Sequence, residues 1–134
     1  MTQIVRYYTP DGLRTGLVED GMIHVMADDL FSGLPLTLGP AVLPLAEARL
    51  APPVRPSKIV CVGRNYPAHA AERSAEVPSE PMLFLKPPSA LIGPGDTIEI
   101  PQSVGRVDHE CELAVVIGRT ARRVARQDAL AYVL

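Results

Sequence analysis

The sequence predicts a mainly β protein of the α+β class, with a small N-terminal β meander followed by a second β-rich unit. Short apolar runs bounded by glycine, proline and aspartate follow one another along the chain. The 14 prolines are about twice the average usage, and proline interrupts helix interiors and central strands. Both observations favour short strands joined by stiff loops, with few helices.

The N-terminal residues predict a meander of three strands. The strand patterns lie at residues 4–8, 15–19 and 22–25. Pro10-Asp11-Gly12 predicts the first turn, and Asp20-Gly21 is a strong two-residue hairpin signal. Residues 41–50 are expected to be partly helical, although Pro44 interrupts that pattern.

A proline-rich stretch at residues 51–56 predicts a stiff linker. It divides the chain into a domain at residues 1–56 and a second unit at residues 57–134. The second unit is predicted to begin with a strand at 59–62 and a short helix at 67–73 that starts with Pro67. Strands at 82–86 and 110–118 and a helix that begins near residue 127 are predicted to follow.

Composition excludes several function classes. The formal net charge of −2 gives no electrostatic case for nucleic acid or for an anionic membrane surface. No run of about 18 apolar residues predicts a membrane span, and the first residues lack the apolar core of a signal peptide. We therefore expect a cytoplasmic protein. Cys61 and Cys111 do not suggest a disulfide framework, and both are expected to be buried, reduced thiols.

Two glutamates at the start of the apolar run 113–118 predict a metal site. Residues two apart on a strand share a face, so Glu110 and Glu112 would project the same way, with Cα atoms about 6.5–7 Å apart. Neighbouring carboxylates repel each other unless a cation lies between them, and hard oxygen donors favour Mg²⁺, Mn²⁺ or Ca²⁺ over zinc. The alternative is a half-exposed strand end with two solvated acids. A zinc site from His109 and Cys111 lacks further ligands.

A second group of polar residues surrounds the predicted helix. His69 and Glu72 are three apart and share a face, so the carboxylate would orient the imidazole as a general base; the alternative is an incidental pair on an exposed helix. Arg64 precedes them at a strand end and suits bidentate capture of a carboxylate, unless it is a solvated loop arginine. Lys86 is either a substrate contact or an edge lysine with its charged end in water.

Together these residues form an ordered set of motifs that closely resembles the fumarylacetoacetate hydrolase family, especially its acylpyruvate hydrolase, oxaloacetate decarboxylase and 2-hydroxyhepta-2,4-diene-1,7-dioate isomerase members. The resemblance is strong from Lys58 to Tyr132. The motifs are Val62-Gly63-Arg64-Asn65-Tyr66-x-x-His69-x-x-Glu72, Glu80-Pro81-x-x-Phe84-x-Lys86, Gly93-Pro94, Pro101, and His109-Glu110-x-Glu112-Leu113.

The resemblance implies the first part of a mixed β-roll catalytic domain behind the small N-terminal domain. It implies that Glu110 and Glu112 bind Mg²⁺ or Mn²⁺, that His69 and Glu72 activate water, and that Arg64 and Lys86 contact the substrate's carboxylate end. Family substrates are 2-oxo or 2-hydroxy-enoic acids of aromatic-compound catabolism, which are hydrolysed at a C–C bond, decarboxylated or isomerised. A homodimer is the common assembly.

The sequence departs from the family beyond the Glu-x-Glu motif. The family's third acidic ligand, an aspartate, and its later catalytic lysine have no counterpart in this chain. Three interpretations remain open: a partial chain of such an enzyme, a catalytically incomplete remnant or binding module, and one half of a split enzyme that a companion fragment completes. We expect unpaired sheet edges to make the isolated chain oligomerise or aggregate.

Overall fold

The computed structural model describes residues 3–32, 36–72 and 74–134. An antiparallel sheet of five strands, in the order β4-β3-β2-β1-β5, occupies the N-terminal part. Its strands are β1 (Gln3–Thr9), β2 (Gly12–Glu19), β3 (Met22–Met26), β4 (Leu38–Pro44) and β5 (Leu50–Ala51). The mainly β class and the three-strand meander are therefore confirmed.

The β2–β3 hairpin shows how the local sequence sets the register. Asp20 and Gly21 both adopt positive φ, of 48° and 74°, which is the backbone that a two-residue hairpin turn requires. Val18 consequently pairs with Ile23, which is fully buried. The core of this sheet consists of the buried residues Tyr7, Leu17, Ile23, Leu30 and Ala51.

The expectation of partial helix at residues 41–50 was wrong for most of that stretch. Residues up to Pro44 continue β4, which pairs with β3 through two register shifts. Only a short 3₁₀ turn follows, at Leu45–Glu47. Pro44 supplies no N–H for a preceding helical turn, whereas an edge strand tolerates proline.

The second part begins with a two-stranded antiparallel sheet. Strands β6 (Ile59–Gly63) and β7 (Met82–Lys86) pair along their whole length, and α1 (Pro67–Glu72) lies between them in the chain. The predicted strands and the helix are confirmed there, and Arg73, the predicted last helical residue, lies outside the described residues. All five residues of β7 are exposed.

The predicted strand at residues 110–118 is wrong. In the described ranges, residues 97–118 form no strand ladder, and Ile117 makes a single antiparallel bridge to Val133. An apolar run becomes a strand only when a neighbouring backbone accepts its hydrogen bonds. Cys111 is consequently exposed rather than buried, whereas Cys61 is half-buried, and both thiols are free.

The last segment is a 3₁₀ helix, Arg126–Tyr132, rather than the start of an α-helix. The Leu134 N–H donates to the Val116 carbonyl at 2.9 Å, and the Gly118 N–H donates to the Tyr132 carbonyl at 2.8 Å. These bonds pair residues 132–134 with residues 116–118, and the helix ends at Tyr132, where Val133 adopts an extended backbone. None of the helices in the described ranges has the length and apolar character needed to cross a bilayer.

Candidate active site

Helix α1 sets the direction of His69 and Glu72. The chain leaves β6 through Arg64, whose φ of 52° makes a left-handed turn. Pro67 occupies the first helical turn, where its missing N–H costs nothing, and the Ala70 N–H donates to the Tyr66 carbonyl at 3.0 Å. Ala70 is buried, which anchors the helix while its polar face stays accessible.

The imidazole of His69 lies between two carboxylates. Its Nδ1 is 3.4 Å from Glu72 Oε2, and its Nε2 is 3.1 Å from Glu110 Oε1. The His69 side chain is 30% exposed, against 74% for Glu72 and 51% for Glu110. Each ring nitrogen thus faces a carboxylate oxygen, and the contact with Glu110 is the shorter of the two. A neutral imidazole donates to one carboxylate only, whereas an imidazolium donates to both.

Glu110 reaches His69 from a segment that a side chain also holds. The phenol oxygen of Tyr66 accepts a hydrogen bond from the Leu113 N–H at 2.9 Å. Two contacts, one through Tyr66 and one through His69, therefore join the start of α1 to residues 110–113. Sequence reasoning predicted the His69–Glu72 pair but not these two contacts, because no local pattern reports a pairing between distant segments.

Glu112 does not join this cluster in the described part of the chain. Its side chain is exposed and makes no hydrogen bond or ion pair there. The shared-face argument for Glu110 and Glu112 also loses its basis, since the strand is absent. Among the described residues, no group of three or more His, Cys, Asp or Glu side chains is arranged to hold a metal ion. Two carboxylates fit Mg²⁺ in kind, but the ligand set is incomplete in number.

Arg64 and Lys86 lie at opposite ends of the β6–β7 sheet, since Arg64 follows Gly63, which pairs with Met82, whereas Lys86 pairs with Ile59. An Arg64 Nη atom is 3.8 Å from the Met82 sulfur, and Lys86 Nζ lies 6.0 Å from the centre of the Phe84 ring. Neither cation pairs with a carboxylate in the described ranges, so both charges are available to an anion.

A cavity of about 810 Å³ lies elsewhere, on the N-terminal sheet. Its lining includes Arg14, Phe31 and Arg55, and none of the six predicted site residues. The cavity is therefore separate from the cluster around His69, and we place the candidate chemistry at the cluster, where titratable groups meet.

Comparison with known proteins matches each of the two parts of the chain to a protein family. Residues 58–134 match the family described as the fumarylacetoacetate (FAA) hydrolase C-terminal domain, and residues 2–53 match the Rv2993c-like N-terminal family. The first match covers more than half of the chain and includes all six predicted site residues. The fold and the site thus define a fumarylacetoacetate hydrolase-type domain preceded by a small β domain. The chain belongs to the fumarylacetoacetate hydrolase family.

Curated relatives share substantial identity over 81 to 93 residues of the chain. An uncharacterized Pyrococcus horikoshii protein is 54% identical over 81 residues, which are 60% of this chain and 35% of that protein. The human mitochondrial oxaloacetate tautomerase FAHD2A is 46% identical over 93 residues, which are 69% of this chain and 30% of the enzyme.

Solved structures match over the whole chain. The 5-carboxymethyl-2-hydroxymuconate delta-isomerase from Mycobacterium smegmatis superposes with a TM-score of 0.82 at 38% identity, covering 100% of this chain and 52% of the isomerase. The 2-hydroxyhepta-2,4-diene-1,7-dioate isomerase from Mycobacterium marinum gives a TM-score of 0.82 at 32% identity, over 100% and 51%. The chain spans about half the length of these structures and about a third of the curated relatives.

Proposed function

We propose that this chain contributes to an enzyme that acts on small 2-oxo or 2-hydroxy-enoic acids, by C–C bond hydrolysis, decarboxylation or isomerisation. The single observation that carries the proposal is the imidazole of His69 held between Glu72 and Glu110, 3.4 Å and 3.1 Å away. The names of the relatives support the substrate class, since they include an oxaloacetate tautomerase and two isomerases of unsaturated 2-hydroxy acids. We place these reactions in aromatic-compound catabolism in the cytoplasm.

His69 would act as the general base. In the present arrangement Nε2 faces the Glu110 carboxylate at 3.1 Å, so a proton on Nε2 is donated to Glu110. When Glu110 turns away from Nε2, Glu72 would hold the imidazole proton on Nδ1, and the Nε2 lone pair would then meet a water molecule or an acidic C–H of the substrate. Glu72 would meanwhile hold the ring in one tautomer and stabilise the imidazolium that forms, as in other carboxylate–histidine pairs.

Glu110 and Glu112 would hold a divalent cation, Mg²⁺ with Mn²⁺ or Ca²⁺ as substitutes. Their carboxylates are hard oxygen donors, and Mg²⁺ commonly keeps several waters, so two protein ligands suffice for weak binding. When bound, the ion would polarise the carboxylate and 2-oxo oxygens of the substrate and favour its enolate. This assignment rests on the donor chemistry of the two residues.

Arg64 would bind the carboxylate end of the substrate, and Lys86 would attract the substrate from the opposite end of the β6–β7 sheet. Neither cation has a carboxylate partner among the described residues. Arginine presents a planar fork that matches a carboxylate, whereas lysine offers a point charge. Arg64 would therefore set the orientation of the substrate and Lys86 would add attraction.

Tautomerisation of oxaloacetate tests the proposal. The full chain is assayed in Mg²⁺ by the loss of enol absorbance, beside His69→Gln and Glu110→Gln. Loss of a general base typically lowers rates by about 10²–10⁴-fold, so we expect His69→Gln to fall at least about 100-fold. We expect Glu110→Gln to fall comparably, because it removes a carboxylate that would hold the cation. Glu99→Gln is the matched control, because Glu99 is exposed and lies outside the cluster. Equal rates for all four proteins would reject the proposal.

A second candidate is a chain whose site is completed by another polypeptide, either a second copy or a companion fragment. The incomplete ligand set among the described residues favours it. Turnover that appears only after addition of the polypeptide that covers the remaining half of a solved relative would select this candidate. Metal binding without turnover under either condition would instead identify a catalytically incomplete binding module.

A further inference from the structure

Tyr66 joins two parts of the chain that the secondary structure leaves unconnected. Its phenol oxygen accepts the Leu113 N–H at 2.9 Å, across 47 positions of sequence. Leu113 belongs to the Glu-x-Glu segment, which we define as residues 108–117. We propose that Tyr66 is a positioning residue that fixes this segment so that Glu110 reaches His69.

The spacing of the two contacts supports this role. Tyr66 and His69 are three residues apart at the start of α1, and Glu110 and Leu113 are three residues apart in the Glu-x-Glu segment. The pairs Tyr66–Leu113 and His69–Glu110 therefore clamp the segment at two points. A single contact would leave the segment free to rotate about it, whereas two contacts define both its position and its direction.

The backbone of Tyr66 is itself held. Its carbonyl accepts the Ala70 N–H at 3.0 Å, and Ala70 is buried. The backbone from which the phenol ring extends is thus tied to the first turn of α1, the same turn that carries His69. A flexible loop residue could not fix the segment relative to the imidazole, but a residue bonded into the helix start can.

The Glu-x-Glu segment depends on such a contact because it lacks a sheet partner. Its described backbone forms no strand ladder, and its other end is held only at Val116 and Ile117, next to the final 3₁₀ helix. Leu113 is 83% exposed, so packing does not immobilise it. The Tyr66 bond is consequently the backbone contact nearest to Glu110 in the described part of the segment.

Tyr66→Phe is the direct test, because it removes only the phenol oxygen. Hydrogen–deuterium exchange with fragmentation of peptides from residues 108–117 reports the Leu113 amide. We expect exchange there to become roughly 5–10-fold faster, the change that loss of one hydrogen bond of ordinary net strength gives. Tyr132→Phe is the matched control, since the Tyr132 ring stacks under Arg119. Unchanged exchange at Leu113 in Tyr66→Phe would overturn the proposal.

A second readout follows the His69–Glu110 contact. Modification of His69 by diethylpyrocarbonate, resolved from His24 and His109 by mass spectrometry, would be faster when Nε2 loses Glu110. We expect Tyr66→Phe to move the His69 rate towards that of Glu110→Gln and to leave His24, which lies in the N-terminal sheet, unchanged. Faster exchange at Leu113 with an unaltered His69 rate would overturn the proposal, because the bond would then not position Glu110.

The purpose of the positioning rests on the proposed function, but the two readouts do not. They use no substrate and no metal. If Tyr66→Phe alters both readouts while Glu110→Gln leaves turnover unchanged, the positioning stands and the proposed function fails. If Glu110→Gln abolishes turnover while Tyr66→Phe alters neither readout, the proposed function stands and the positioning fails.

Discussion

His69 Nε2 lies 3.1 Å from Glu110 Oε1, so a helix residue and a residue of an irregular segment form one polar unit. Helix α1 supplies His69 and Glu72 to the site, and this contact adds Glu110. Glu72 shares the helix with His69 and approaches Nδ1 only to 3.4 Å, with three quarters of its side chain in solvent. The geometry therefore gives Glu110 the closer influence on the imidazole.

Because His69 and Glu110 form one unit, their effects on turnover should not add. We expect His69→Gln and Glu110→Gln each to lower kcat/KM about 100-fold or more, and the double variant to be no worse than about threefold below the weaker single variant. Steady-state kinetics on oxaloacetate would measure kcat/KM for the unmodified chain, the two single variants and the double variant. A double variant whose loss equals the product of the two single losses would show that the residues act independently.

From the sequence, only those features of the site that lie close together along the chain were predictable. His69 and Glu72 follow from the three-residue spacing on one helix face, and the Asp20-Gly21 turn follows from the backbone that a tight hairpin demands. The pairing of His69 with Glu110 was not predictable, because a contact between distant segments leaves no periodic signal. The strand expected at residues 110–118 failed for a related reason, since an apolar run reports burial tendency but not the neighbour that must bond to it.

Gly16 occupies a position in β2 where a side chain does not fit. A Cβ there would lie 2.6 Å from Ile23 Cγ2 and 2.8 Å from the His24 carbonyl oxygen, which is backbone and cannot swing away. We expect Gly16→Ala to lower the free energy of unfolding by about 1–3 kcal/mol, the usual cost of overpacking. Urea denaturation followed by circular dichroism would measure it.

Gly105 offers the matched control for that substitution. No atom lies within 4 Å of a Cβ at Gly105, and its φ is not in the left-handed region. We expect Gly105→Ala to change the free energy of unfolding by less than about 0.5 kcal/mol, as for other surface substitutions. Similar losses for both variants would contradict the steric account of Gly16.

Protonation of Asp28 should lower the free energy of unfolding in acid. The Thr37 N–H, 2.7 Å from Asp28 Oδ2, lowers the pKa of this carboxyl below its ordinary 3.8, and the Thr37 hydroxyl lowers it further. A carboxyl with a depressed folded-state pKa stabilises the fold above its ordinary pKa, and this contribution is lost as the pH falls from 3.8 through the lower folded-state value.

Asp28→Asn should therefore lose stability at neutral pH and show a shallower decline below pH 3.8 than the unmodified chain. Urea midpoints at a series of acidic pH values would compare the two proteins. Thr37→Ser is the control, because serine keeps both donors to the carboxylate and should retain the original acid profile. Parallel acid profiles for Asp28→Asn and the unmodified chain would show that Asp28 does not cause the loss of stability in acid.

The β6–β7 sheet leaves an apolar face without cover in the described residues. Leu83 and Leu85 share one side of β7 and are 63% and 69% exposed, and Leu85 pairs with Val60, which is 53% exposed. Exposed apolar patches and open strand edges promote association between chains. We therefore expect the chain to form dimers or larger assemblies as its concentration rises.

Leu85→Lys should shift this association towards the monomer, because a charge on the apolar face opposes burial against a second chain. Sedimentation velocity over a concentration series would measure the shift. Leu130→Lys is the matched control, since Leu130 is 84% exposed in the final 3₁₀ helix and belongs to neither β6 nor β7. A control variant that dissociates as readily as Leu85→Lys would place the contact elsewhere. An unmodified chain that stays monomeric at every concentration would show that the exposed face does not drive association.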